Sequence, residues 1–203
     1  MGNSRSGIAP IAACVLLLLM IAGLGAGAAI SKSDADRLQN KIARISENGR
    51  ATQPLSLRTS ITETEVNSYL TYALAHDLPI GITEPSVTIE GDGRLSGRAI
   101  VDLSRVKAER APGGSRDPLA FLGGKAPVTA MGTLHTSRGT GRLDLESTAV
   151  AGVPVPKFLL QALVSYYTRT PENPDGISLD GTFKLPAGIR EIEVGKGQAV
   201  VVQ

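Results

Sequence analysis

The sequence has no tryptophan, one cysteine and two histidines, and its aromatic residues are four tyrosines and three phenylalanines. A lone cysteine excludes an intrachain disulfide and any cysteine-rich zinc site. Neither sign of charge dominates. A net charge of +2 over 203 residues gives no basic face of the kind a nucleic-acid binder carries. Charged residues are too few, at 20%, and apolar ones too many, at 42%, for a disordered chain. The signatures G-x-S-x-G, H-E-x-x-H, the P-loop and G-x-G-x-x-G are all missing. The length fits one domain, with or without an appendage.

What is present begins with an uncharged run from Ile8 to Ile30, preceded by Arg5. A basic start, an apolar stretch and the small residues Ala26-Gly27-Ala28 make a secretory leader with a cleavage site. The run is also long enough to cross a bilayer as a retained anchor. Either outcome, with segment 1–29 as signal peptide or membrane anchor, places the rest outside the cytoplasm, in a periplasmic setting. Cys14 follows Ile11-Ala12-Ala13 as in a lipobox, but the leucine run comes after it, so it is expected to be an inert leader residue.

Residues 30–55 are predicted to form a helical spacer. Ser33 or Asp34 would cap it, and Leu38, Ile42 and Ile45 form a narrow stripe at i, i+4, i+7 among polar residues. The domain proper is expected over 56–203. Thr62-x-x-Glu65 is a capping box, and Val66, Tyr69, Leu70, Ala73 and Leu74 follow at helical spacing, predicting about 14 residues that end near His76 before Pro79.

The period then changes to two. Val87 and Ile89 lead to the turn Gly91-Asp92-Gly93, and Leu95, Gly97, Ala99, Val101 and Leu103 alternate with polar residues, Ile100 excepted. A second hairpin is predicted from Val128, Ala130, Gly132 and Leu134, across Ser137-Arg138-Gly139-Thr140-Gly141, to Leu143, Leu145, Ser147 and Ala149. Between the hairpins, the Gly- and Pro-rich stretch Arg105–Ala126 is expected as a mobile loop with the apolar tip Leu119, Phe121 and Leu122. Pro156 opens a helix to about Thr168 that is apolar almost all round. Strands near 189–194 and 199–202 close the chain. This order predicts an α+β fold, with a curved, mostly antiparallel sheet wrapped around two amphipathic helices.

Candidate chemistry is sparse. His76 sits at a helix end and His135 on a wet strand face, neither with a partner at metal-ligand spacing. Glu63 and Glu65 diverge on a helix. Glu191 and Glu193 share a strand face beside Arg190 and Lys196, as solvated charge. No catalytic residue, metal site or cofactor is assigned, and the chain is expected not to be an enzyme. The apolar positions are more informative. Val66, Leu70 and Leu74 form one stripe, and Leu159, Leu163 and Tyr167 another, both at i, i+4, i+8. The two are expected to line one apolar space against the sheet, with the small residues Gly97, Ala99, Ala130 and Gly132 leaving room between them. That space is either a groove for a ligand or a closed core.

Three segments have a familiar cast: Ile61-Thr62-Glu63-Thr64-Glu65-Val66-Asn67-Ser68-Tyr69-Leu70, Gly152-Val153-Pro154-Val155-Pro156-Lys157-Phe158-Leu159-Leu160, and Leu185-Pro186-Ala187-Gly188-Ile189-Arg190-Glu191-Ile192. Over about 58–203 the chain resembles the tubular lipid-binding (TULIP-like, BPI-like) superfamily. The resemblance implies a strongly curved sheet around a long helix and an apolar groove, and no catalytic residues. It implies binding of a lipid or other long apolar ligand in the cell envelope. Read from the residues themselves, Phe158 and the loop tip Leu119, Phe121 and Leu122 join the two stripes as candidate contacts, since an apolar tip is costly to leave in water. The membrane would be met through the N-terminal segment, and no protein partner is named. The competing expectations are an envelope scaffold or assembly protein with a closed core and, ranked last, a hydrolase with an unrecognised site.

Overall fold

The computed structural model describes residues 29–102, 104–105, 124–168, 175 and 178–203. The expected leader, and the loop tip with Leu119, Phe121 and Leu122, lie outside the described residues, as do the side chains of Leu163 and Tyr167. Among the described residues there are three helices and nine strands, and no helix is long and apolar enough to cross a membrane.

Helix α1 (Lys32–Arg50) starts one turn earlier than expected. Ser31, not Ser33 or Asp34, is its N-cap and accepts a hydrogen bond from the Asp34 amide. Strand β1 (Arg58–Thr62) runs directly into α2 (Glu63–Tyr72). The capping box forms as predicted. The Glu65 amide donates to Thr62 Oγ1 at 3.2 Å, and the Thr62 amide donates to the Glu65 carboxylate at 2.9 Å. The helix is shorter than its apolar spacing suggested. The chain turns after Tyr72, and Leu74 continues the buried stripe from outside the helix.

The two hairpins are β2 (Ile82–Gly91) with β3 (Arg94–Asp102), and β4 (Lys125–Ser137) with β5 (Thr140–Val150). Asp92 and Gly93 both have positive φ, as do Arg138 and Gly139. Positive φ at both central residues matches the right-handed twist of hairpin strands, hence glycine at the second position. Strand β6 (Val153–Pro154), helix α3 (Lys157–Thr168) and strand β7 (Thr182–Lys184) follow, then β8 (Glu191–Gly195) and β9 (Gln198–Val202).

Instead of one sheet there are two, both antiparallel. One has the order β1-β9-β8. The other runs β2-β3-β4-β5-β6, with β7 also pairing β5. They meet at the hairpin turns: the Gly93 amide donates to Val194 O, the Gly197 amide to Ile89 O, and the Gly139 amide to Arg190 O. Thr136 locks the seam by donating its hydroxyl to Ile192 O and accepting from the Ile192 amide.

The expected alternation in β5 breaks at Glu146. Gly132 pairs with Leu145, but Met131 pairs with Ser147. The extra residue is a bulge. It turns Ser147 outward and brings Thr148 inward, where the Thr148 hydroxyl donates to Val155 O. Gly132 has its own reason to be small. A Cβ there would lie 2.6 Å from Asp144 O, so glycine permits the strand contact rather than leaving room for a ligand.

The main core joins Leu70 and Leu74 to Val87, Ile89, Leu95, Ala130 and Leu134. A second cluster packs Ile45 of α1 with Leu185, Ile189 and Val201. Helix α1 is therefore part of the packed body and not a spacer. Its narrow stripe packs along α2 and the three-stranded sheet, and most of its polar residues face water, Asn48 excepted.

Candidate apolar cavity

Between α1, α2 and the two sheets there is a cavity of about 140 Å³. Helix α1 contributes Leu38, Ile42 and Ile45, and α2 contributes Val66, Tyr69 and Leu70. The six-stranded sheet adds Val87, Ile89, Leu95 and Leu134. The three-stranded sheet and its approach add Ile61, Ile192, Val194, Ala199, Val201, Pro186 and Ile189. Tyr69 supplies the one side-chain heteroatom in this lining. Burial raises its phenol above the ordinary tyrosine value, and the nearby Asp77 charge adds to that.

Polar contacts on the outer side hold α1 over the cavity. Lys41 Nζ donates to both Glu65 oxygens, at 2.7 and 2.8 Å, and to Ser60 O at 2.7 Å. Burial pushes the Glu65 carboxyl upward, but the Lys41 ammonium and the Thr62 amide outweigh it, so its pKa lies below the ordinary value. At the start of α1 the Ser31 amide donates to Ser68 Oγ. At its end Asn48 donates to Leu55 O and accepts from the Leu55 amide, and it also reaches Gln203.

Of the expected contact residues, Val66 and Leu70 line the cavity. Leu74 is buried in the adjoining core instead. Phe158 and Leu159 are exposed and away from the cavity, because α3 packs on β5 at another part of the six-stranded sheet. The second helical wall is α1. Its stripe was legible in the sequence, but its partner was not, since Lys41 and Glu65 are 24 residues apart.

The acidic pairs are structural. The Glu63 carboxylate accepts the Ile89 amide at 2.7 Å, and Glu193 pairs with Arg58 across the three-stranded sheet. His135 faces Asp144 at 3.2 Å on the exposed side of β4 and β5. Among the described residues, no group of three or more His, Cys, Asp or Glu is placed to hold a metal ion.

A lining that is hydrocarbon apart from the Tyr69 hydroxyl favours an apolar group, since a polar atom placed there would lose its water partners. The volume suits something of benzene size, below the roughly 300–1,000 Å³ of pockets that enclose a drug-sized ligand. No protein-family model, curated protein or solved structure matches the chain.

Proposed function

We propose that this protein is a non-enzymatic binder of a lipid or similar apolar chain in the cell envelope, with the chain end seated between α1, α2 and the two sheets. One observation carries the reading: a cavity lined by apolar side chains from α1, α2 and both sheets, one wall of which is a helix clamped on its outer side by polar contacts. The resemblance to tubular lipid-binding domains points the same way, as does the apolar run before Ala29.

Size constrains the binding mode. About five methylenes at about 0.8 kcal/mol each give ~4 kcal/mol, which corresponds to roughly millimolar affinity. A tighter ligand must touch more apolar surface than the cavity offers, and outward movement of α1 exposes Leu38, Ile42 and Ile45. Native mass spectrometry of the full chain, with lipid extraction, tests the proposal. Co-purified lipid, or uptake of an added fatty acid, is the expected result. A clean apo mass with no uptake would leave a closed-core scaffold.

A further inference from the structure

We propose that one end of the fold, carrying Ile80, Val153, Phe158 and Leu159, rests against a lipid bilayer. Large apolar side chains are left in water there: Phe158 is 71% exposed, Val153 65%, Leu159 47% and Ile80 46%. Register places the segments of Ile80 and Val153 at one end of the six-stranded sheet, and from Val153 the chain returns along β5, with the Val155 amide donating to Thr148 O, before α3 begins. Ile82, just after Ile80, pairs with Val101. Val101 pairs with Ala126, Val128 pairs with Val150, and Val150 pairs with Val153. Phe158 and Leu159 follow in the first turn of α3. The opposite end of the sheet, with the turns at Asp92-Gly93 and Arg138-Gly139, is occupied by the three-stranded sheet.

The chain outside the described residues identifies the occupant. Helix α1 ends beside Leu55 and Gln203 and packs Ile45 against Leu185 and Ile189, near the turn end. Its start lies beside Ser68. Helix α2 runs back along β2, with Glu63 at Ile89 and Asn67 at Val87, so Tyr72 and the start of α1 both lie toward the apolar end. Ile30 and Tyr72 are exposed there as well. The uncharged run Ile8–Ile30 therefore joins the fold on the side where apolar side chains are exposed. A bilayer that holds that run also covers this end.

Among the described residues the local charge is balanced. Lys32 pairs with Asp36, and Lys157 with Asp180, while exposed Arg105 and Lys125 are offset by Asp77 and Glu84. Attachment is thus by apolar insertion rather than attraction to anionic headgroups. This holds whether or not the cavity takes a ligand.

The test uses the full chain with Cys14→Ser, reconstituted in phosphatidylcholine vesicles with and without phosphatidylglycerol. A spin label is placed at Val153→Cys or, for the turn end, at Arg138→Cys. Collision with a water-soluble nickel reagent should fall about tenfold at position 153 relative to 138, equally in both vesicles and at low and high salt. Adding Phe158→Asp and Leu159→Asp should restore water access at 153 without lowering the melting temperature, because both side chains are exposed. Equal access at the two positions would overturn the proposal. So would spin–spin broadening at 153, which would mean that a second copy covers this end.

Discussion

Lys41 of α1 reaches across to Glu65 of α2 and donates to both of its carboxylate oxygens, while the same carboxylate accepts the Thr62 amide. One carboxylate thus finishes the N-terminal cap of α2 and clamps α1 over the cavity. The Glu65 side chain is 2% exposed and that of Lys41 24%. Removing one partner of a fully buried pair costs about 3–5 kcal/mol. Water reaches Lys41, so Glu65→Gln should cost less, about 2–3 kcal/mol. Denaturant unfolding measures the loss. If α1 gates the cavity, the same variant should also take up a fatty acid faster than the wild type.

The same pair sets a pH dependence. The Glu65 pKa is lowered in the folded state from an ordinary value of 4.5. Its contribution is fully present above that unfolded value and is lost as pH falls through the lower folded one. Stability measured from pH 6 downward should therefore decline on the acid side of 4.5, and the decline should be shallower in Glu65→Gln. Identical slopes would remove Glu65 from the account.

The cap half of this arrangement was legible in the sequence, because the Thr62–Glu65 spacing is local and its chemistry is fixed by the helix terminus; the Lys41 half was not. The hairpin turns were legible for the same reason. The role of α1 was not. Leu38, Ile42 and Ile45 make a stripe, but a stripe does not say which surface it meets. Helix α3 left two readings open. Its apolar circumference fits either burial or a face turned to something apolar outside the core, and Phe158 and Leu159 face outward. Strand β1 was hidden because five residues joined directly to a capped helix have little pattern of their own. The Glu146 bulge was hidden because alternation cannot reveal an inserted residue until the partner strand is known.

Gly49 marks the other end of α1. A Cβ there would lie 2.2 Å from Ala187 O, and that carbonyl already accepts a hydrogen bond from Gln203 Nε2 at 2.6 Å. Gly49→Ala gains about 1 kcal/mol of helix propensity. It must also displace backbone, at a cost of about 1–3 kcal/mol or more. The clash should dominate, with a net loss of stability and faster hydrogen exchange at the Gln203 side chain and the end of α1. A more stable variant would show that the loop yields freely.

Ser96 is fully buried between Thr88 and Met131, and its Oγ has no hydrogen-bond partner. A buried hydroxyl without a partner costs free energy that its removal returns. Ser96→Ala should therefore be neutral or stabilising by up to about 1 kcal/mol, whereas Thr136→Ala, which removes both bonds to Ile192, should cost about 1–3 kcal/mol. Thermal melts of the two variants side by side check the contrast. A marked loss at Ser96 would mean that the hydroxyl has a partner in solution.

Ala199 is the smallest residue in the cavity wall and lies in β9 between Ile61 and Val194. Ala199→Leu adds three carbons to a space of about 140 Å³. If the cavity is empty in the free protein, filling it should stabilise the fold by about 1–2 kcal/mol, the transfer gain less some rotamer strain. The same carbons occupy the place proposed for the end of an apolar ligand. The variant should therefore melt higher and bind a fluorescent fatty acid at least about tenfold more weakly, since about two methylenes of lost contact are enough for that. A higher melting point with unchanged binding would put the ligand elsewhere on the fold. A lower melting point with unchanged fatty-acid uptake would mean that the wall cannot accept the added volume and that the ligand does not use it.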